Sequence, residues 1–168
     1  MNELVTSLGA SLNTISSSSQ ISHDDRQIVY GFILSKLPKA DEPLSSAATH
    51  HFENPGKMLR ANMVMRGAYL LNADRNAAIR WAAAIELLHN ASLVHDDICD
   101  GDKLRRGQQA VWAKFGRHVA LTLGDWLIAL SFELASEAAQ IAKTPKLVTL
   151  LARHMATTTA GEAMEFEL

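Results

Sequence analysis

The sequence predicts an all-α fold, and three observations support this prediction. Apolar residues recur at helical spacing in several segments, beginning with the one that follows Asp24. No run of alternating apolar residues flanked by turn residues predicts a β-sheet. Helix breakers such as Asn54-Pro55-Gly56 divide the chain into segments of helical length. We therefore expect one all-α domain over residues 1–168.

The predicted elements follow one another along the chain. Residues 1–23 are expected to be flexible or peripheral, because their second half is rich in Ser. The stretch from Gly101 to Gln108 is predicted to be a loop. Helices are expected at about 24–37, 44–53, 57–71, 74–98, 111–115 and 117–142, with a last helix from about 146 to the end of the chain.

The helix that follows Asp74 is too rich in Ala, Leu and Ile for a surface helix and is predicted to be central to the fold. Three carboxylates, Asp96, Asp97 and Asp100, stand at its carboxyl end, where the helix dipole opposes negative charge. Asp96 and Asp100 share one face, and Asp97 lies about 100° away. Oxygen ligands so arranged suit Mg²⁺, which completes its shell with water and substrate phosphates. We predict Asp96 and Asp100 as Mg²⁺ ligands.

Basic residues accompany the acidic cluster. Arg105 and Arg106 follow it after one short loop, and guanidinium groups form forked hydrogen bonds with phosphate. Lys57 and Arg60 stand three apart and so share a helix face, although a solvated basic turn explains these two equally well on their own. Acid, metal and base together predict a site for a diphosphate.

Composition limits the classes of protein to consider. The chain has 168 residues, is 48% hydrophobic and carries a net charge of −2, which gives no reason to expect nucleic-acid binding. No stretch of 18 uninterrupted apolar residues occurs, so no membrane span is expected. Cys99, the single cysteine, is predicted to be a spacer in the acidic cluster. One cysteine fits a reducing compartment, and we expect a cytoplasmic protein.

The stretch around the acidic cluster resembles the first aspartate-rich region of the trans-isoprenyl diphosphate synthases, the polyprenyl synthetase family. Further segments match this family in the right order. In chain order, the matching segments are Gly56-Lys57-Met58-Leu59-Arg60, the stretch from Glu86-Leu87-Leu88-His89 through Asp96-Asp97-Ile98-Cys99-Asp100 to Leu104-Arg105-Arg106-Gly107, then Lys114-Phe115-Gly116, Gly124-Asp125 and Gly161-Glu162-Ala163-Met164-Glu165. The resemblance covers most of residues 52–168.

The resemblance implies a helical bundle of the isoprenoid-synthase type around a central apolar cavity. It implies head-to-tail condensation of isopentenyl diphosphate with an allylic diphosphate, assisted by Mg²⁺. By the same resemblance, Arg105 holds the allylic diphosphate and Asp97 supports catalysis beside Asp96 and Asp100. Arg106 would hold isopentenyl diphosphate together with Lys57 and Arg60. A homodimer is the expected assembly.

Two small residues before the acidic cluster bear on product length. In the resembling family, bulky aromatic residues at the positions of Ala91 and Ser92 close the pocket for the growing tail. Ser92 lies one turn, about 5.4 Å, before Asp96, close to the length of one isoprene unit. Because both residues are small here, we predict a product of geranylgeranyl length or longer.

The chain also departs from the family pattern. Gln109 and Trp112 stand where many members have Pro and His, and Glu162 and Glu165 replace Gln and Asp. Family members are roughly twice as long, and their second aspartate-rich motif has no counterpart here. We therefore expect the amino-terminal half of a prenyl synthase: a fragment, a chain that a second chain completes, or a non-catalytic regulatory subunit. A class I terpene cyclase is the other alternative, although the Leu-Arg-Arg-Gly segment argues against it.

Overall fold

The computed structural model describes residues 24–165. The prediction for residues 1–23 therefore lies outside the described residues, as does Phe166 onward. Within this part of the chain there are seven helices and one short hairpin. The elements are α1 (24–36), α2 (Ser45–Phe52), α3 (Leu59–Leu70), α4 (Arg75–Cys99), β1 (Leu104–Arg105), β2 (Gln108–Gln109), α5 (Val111–Phe115), α6 (Arg117–Ile141) and α7 (Lys146–Glu165). The predicted all-α class is confirmed.

The hairpin is the one element that the sequence analysis missed. Leu104 pairs with Gln109 and Arg105 with Gln108 in an antiparallel ladder. Arg106 and Gly107 form the turn, with φ of 53° and 81°. Two-residue hairpin turns favour positive φ at both central positions, and an arginine at the first of them gives no sequence signal for it.

Helix α4 begins where the sequence predicts, because Asp74 caps it. The Asp74 carboxylate accepts a hydrogen bond from the Ala77 amide at 2.9 Å. Gly101, with φ of 72°, follows the helix and turns the chain toward the hairpin. The 25 residues of α4 span about 37 Å.

Small residues hold α4 and α6 close together at the centre of the fold. Buried alanines on both helices, such as Ala84 and Ala135, leave little side-chain bulk between the two backbones. The Ser131 hydroxyl on α6 donates to the backbone carbonyl of Ala84 at 2.8 Å. Gly124 is packed under the His95 ring, where a Cβ atom would lie 2.1 Å from Nε2. The two helices run antiparallel, since the start of α6 meets the end of α4.

The first helix is tied to this pair by apolar and ionic contacts. Val29 and Ile33 on α1 are buried in the core. Glu137 on α6 accepts from the Arg80 Nε of α4 at 2.7 Å and lies 3.8 Å from the Lys36 Nζ of α1. These contacts link α1, α4 and α6.

Helix α6 is the one helix among residues 24–165 whose length and hydropathy would suit a membrane span. Of its most apolar window, 44% is buried inside the fold. Leu123, Leu127 and Leu134 belong to the core, against which α4 packs. These contacts are those of a core helix in a bundle.

Helix α7 runs in the same direction as α4, because Glu162 near the end of α7 lies close to Asp96 near the end of α4. Leu151 is buried near the start of α7. The residues from Ala156 to Met164 are all exposed. The second half of α7 therefore presents its surface to the space in front of α4.

Candidate functional site

The three clustered carboxylates at the end of α4 lie in three different environments. Asp97 is 1% exposed, Asp96 is half-buried and Asp100 is exposed. This difference follows from the helix, in which successive residues are turned by about 100°. Asp96 and Asp100 face outward while Asp97 points into the protein.

Asp97 is bound by Arg105 of the hairpin. The Arg105 Nε donates to Asp97 Oδ1 at 2.8 Å, and Nη2 of the same guanidinium donates to the same oxygen. This hydrogen bond is the main cause that raises the pKa of Arg105. A buried carboxylate needs such a partner, since an unpaired charge in the interior is costly. The pair anchors β1 against the end of α4.

Asp96 faces Glu162 on α7. Burial raises the pKa of Asp96, and the negative charges of Glu162 and Asp100 raise it further. The two carboxylates therefore lie close enough to repel each other across the gap between α4 and α7. Sequence reasoning did not single out Glu162 as a site residue, although the Gly161-Glu162-x-x-Glu165 segment was the available signal.

A cavity of about 420 Å³ extends from this acidic end between α4 and α7. Its wall is mostly apolar deeper down, with Ile85 and Leu88 of α4, Ile128 of α6 and Leu151 of α7. Leu88 and Ile85 lie about 12 and 16 Å before Asp96 along the helix axis. The cavity thus combines an acidic end with an apolar interior.

The two small residues predicted to border a tail pocket differ in position. Ser92 lines the cavity, and its hydroxyl donates to the His89 backbone carbonyl at 2.8 Å. Ala91 is fully buried in the hydrophobic core and does not line the cavity. The sequence analysis assigned the same role to both residues. The turn of about 100° between them along the helix instead puts Ser92 at the cavity and Ala91 in the core.

The predicted basic residues come from two segments that meet beside α4. Arg60 lines the cavity, and Lys57 is exposed at the turn before α3. Arg106 reaches this turn from the hairpin, where its Nη1 donates to the Asn54 carbonyl at 2.7 Å. A Cβ atom at Gly56 would lie 2.9 Å from the Arg106 Cζ, so the absence of a side chain there lets the guanidinium lie against the backbone. The structure therefore brings Lys57, Arg60 and Arg106 to one side of the site.

The hairpin also contacts the end of α2. Gln108 donates from Nε2 to the His50 carbonyl at 2.8 Å. His50 Nε2 in turn lies 2.8 Å from the Gln109 carbonyl, and His50 Nδ1 lies 3.0 Å from the Lys114 Nζ. His50 is thus a structural connection between α2, the hairpin and α5.

Four other histidines lie in or near the site. Burial lowers the pKa of His51, whose ring bonds to Asn90, to about 4. His89, which lines the cavity, also has a pKa lowered to about 4, first by burial and then by nearby arginines. His95 also lines the cavity, and its Nε2 lies 3.3 Å from the Leu121 carbonyl. His154 joins the cavity from α7 and was missed by sequence reasoning.

The donor set at the end of α4 fits a hard divalent cation. Within residues 24–165, no three His, Cys, Asp or Glu side chains gather into a complete protein metal site. Mg²⁺ commonly needs only one or two carboxylates, because water and phosphate oxygens supply the rest of its shell. The clustered negative charge that raises the pKa of Asp96 is the kind that such a cation would neutralise.

A helical bundle with an acid-ended apolar cavity is the architecture of the isoprenoid synthases. The family model described as polyprenyl synthetase matches residues 41–168. This chain belongs to the polyprenyl synthetase family.

Curated relatives include geranylgeranyl diphosphate synthases. That of Saccharolobus solfataricus is 45% identical over 95 residues, which cover 56% of this chain and 29% of the relative. That of Sulfolobus acidocaldarius is 32% identical over 151 residues, which cover 88% of this chain and 44% of the relative. The chain thus spans less than half the length of either protein.

Solved structures resemble the fold over nearly the whole chain. The geranylgeranyl pyrophosphate synthetase of Geoglobus acetivorans has a TM-score of 0.77 at 36% identity, covering 88% of this chain and 49% of that one. A polyprenyl synthase of Caulobacter crescentus, complexed with calcium and isoprenyl diphosphate, has a TM-score of 0.80 at 30% identity. That match covers 90% of this chain and 45% of that one.

Proposed function

We propose that this chain supplies the first aspartate-rich wall of a head-to-tail prenyltransferase that joins isopentenyl diphosphate to an allylic diphosphate. One observation carries the proposal. Asp96 faces Glu162 at the end of a cavity whose deeper wall is apolar. Arg60 also lines this cavity. Charged groups are thus gathered where a diphosphate would lie, and the interior suits a hydrocarbon tail.

The carboxylates have the metal-binding role in this proposal. Asp96 and Asp100 would hold Mg²⁺, which as a Lewis acid would stabilise the departing pyrophosphate. Asp97 keeps its contact with Arg105 and so fixes the hairpin beside them. The predicted allylic diphosphate contact of Arg105 would use the part of its guanidinium that faces solvent, since 28% of the side chain is exposed.

The basic residues beside α3 would bind the second substrate. Lys57, Arg60 and Arg106 supply the positive charge on that side of the site. A fixed array of cations stabilises phosphate charge without reorganising during the reaction. The apolar cavity wall would exclude water and so protect the allylic cation from premature capture.

The remaining parts of the proposal concern the whole protein. Because the chain spans 29–49% of the length of the relatives above, we propose that further polypeptide supplies the second aspartate-rich motif. A homodimer and a cytoplasmic location, both expected from the sequence, belong to this proposal as well.

The purified chain incubated with Mg²⁺, labelled isopentenyl diphosphate and geranyl or farnesyl diphosphate tests the activity. We expect the chain alone to bind the diphosphates without forming product. Label should enter a longer prenyl diphosphate once the polypeptide that carries the second aspartate-rich motif is present. A cyclised hydrocarbon formed from the allylic substrate alone would support a terpene cyclase instead. Diphosphate binding without either product in the presence of that polypeptide would support the non-catalytic subunit. An otherwise identical reaction without Mg²⁺ is the control.

The length of the bound tail is expected to depend on Ser92. Replacing Ser92 by Phe puts a ring into the cavity one turn from Asp96, so tails longer than about one isoprene unit no longer fit. We expect the affinity for farnesyl diphosphate to fall at least about tenfold and the product distribution to shorten by at least one unit. Titration calorimetry and chromatography of the products measure the two effects.

Two variants serve as controls for this prediction. Ser92→Ala removes only a hydroxyl that bonds within its own helix, so it should leave tail binding unchanged. Ala91→Phe, in the core, should destabilise the fold by about 1–3 kcal/mol through overpacking. Unchanged products and farnesyl affinity in Ser92→Phe would show that the tail does not follow this face of α4.

A further inference from the structure

The buried carboxylate of Glu86 has no part in the proposed chemistry, yet it contacts the start of α3 and its charge acts on Arg106 of the hairpin. Glu86 is on α4, about three turns before Asp96, and is 2% exposed. Its Oε1 accepts a hydrogen bond from the backbone amide of Ala61 at 2.9 Å. Among residues 24–165, no cationic side chain lies within 4 Å of it. A buried acid with only one amide partner needs an explanation.

The start of α3 supplies the first part of that explanation. Ala61 is in the first turn of α3, where backbone amides have no partner within the helix. Met58, in the capping position, adopts a left-handed φ of 46° and offers no side-chain cap, and the first turn contains no acidic residue. Glu86 therefore caps α3 from a neighbouring helix, and its negative charge suits the positive end of the helix dipole.

The second part is the effect on the cations. Lys57 and Arg60 flank the capped turn, so the position of α3 decides where these two side chains begin. The Glu86 charge also acts on Arg106. Burial lowers the pKa of the Arg106 guanidinium, and the negative charge of Glu86 raises it in opposition. Arg106 itself lies against Gly56 in the same turn.

We propose that Glu86 is a positioning residue that fixes the turn carrying Lys57 and Arg60, and with it the diphosphate-binding side of the site. The proposal rests on the proposed function only for the ligand; the capping of α3 stands independently of it. It predicts that the length of the side chain at position 86 matters more than its charge.

A reciprocal pair of variants tests this. Glu86→Asp keeps the charge but shortens the side chain by one bond, about 1.5 Å, so its carboxylate no longer reaches Ala61. Glu86→Gln keeps the length and an oxygen acceptor but loses the charge. Each is first checked for unchanged helicity by circular dichroism. Amide hydrogen exchange at Ala61 and affinity for inorganic pyrophosphate in EDTA are then measured.

For Glu86→Asp, we expect exchange at Ala61 to accelerate at least about tenfold and pyrophosphate affinity to fall at least about tenfold. Glu86→Gln should stay within about threefold of the parent in exchange, with unchanged or tighter pyrophosphate binding, because a negative charge near the cations is removed. The proposal is overturned if Glu86→Gln accelerates exchange at Ala61, or weakens pyrophosphate binding, as much as Glu86→Asp or more. If the parent chain binds pyrophosphate neither in EDTA nor with Mg²⁺, the proposed function fails, and exchange at Ala61 alone decides the role of Glu86.

Discussion

Replacing Asp96 by Asn is expected to abolish Mg²⁺-dependent pyrophosphate binding and to raise the thermal stability of the metal-free chain. Both effects have one cause. The Asp96 carboxylate is partly buried and faces Glu162 and Asp100, all of which raise its pKa. A cation neutralises this charge, but without one the charge destabilises the fold. If Asp96 is a Mg²⁺ ligand, as proposed, its loss should weaken binding at least about 100-fold.

The stability gain of the Asp96→Asn variant is expected to depend on pH. Because the pKa of Asp96 is higher in the folded chain than in the unfolded chain, folding favours the protonated form. The contribution of Asp96 to stability is therefore greatest below the unfolded pKa and is lost as the pH rises through the folded one. At neutral pH the Asn variant should unfold at a higher temperature than the parent, and the gain should vanish in acid.

Thermal unfolding in EDTA and titration calorimetry with pyrophosphate and Mg²⁺ measure the two effects. Asp100→Asn should lose binding with little gain in stability, since Asp100 is exposed. Asp41→Asn, an exposed residue in the connector between α1 and α2, makes the same change of charge and should alter neither property. Pyrophosphate affinity that withstands both Asp96→Asn and Asp100→Asn would place the metal elsewhere.

Arg105→Met is expected to destabilise the chain by about 3–5 kcal/mol, because it leaves the buried Asp97 carboxylate without a partner. The size of this effect separates a structural role from a purely ligand-binding one, which would leave the free energy of unfolding unchanged. Urea denaturation followed by circular dichroism measures it.

The double variant Arg105→Met with Asp97→Leu is the matched control. An apolar pair of similar size needs no charge compensation, so most of the lost stability should return. Arg105→Lys should fall between the parent and Arg105→Met, since an ammonium group keeps the charge but not the forked geometry. A parent-like stability for Arg105→Met would mean that the pair contributes little to folding.

The sequence predicted the helices well because each boundary has a local cause. Asp74, Pro55 and Gly116 act on the chain within a few residues, so their effects are readable without the fold. The bounds of α4 and α6 differ from the predicted ones by one residue at most. The hairpin was missed, since the first of its two left-handed turn residues is Arg106, and an arginine carries no turn signal.

The site was predictable only as far as one helix determines it. Spacing alone separated the faces of Asp96 and Asp97, and the structure has them on different faces. The partner of each carboxylate depends on packing between elements that are distant in sequence. The spacing of residues along one helix does not predict this packing. Ala91 lies in the core for the same reason: which neighbour covers a helix face is a tertiary property.

The hairpin has a consequence for the order in which the chain acquires its parts. Arg105 meets Asp97 across only eight residues of sequence, whereas Arg106 meets Asn54 across 52. Closing the shorter loop costs less chain entropy, and contacts of low sequence separation form sooner. During folding the acidic end of α4 should therefore gain its hairpin before the hairpin finds α2.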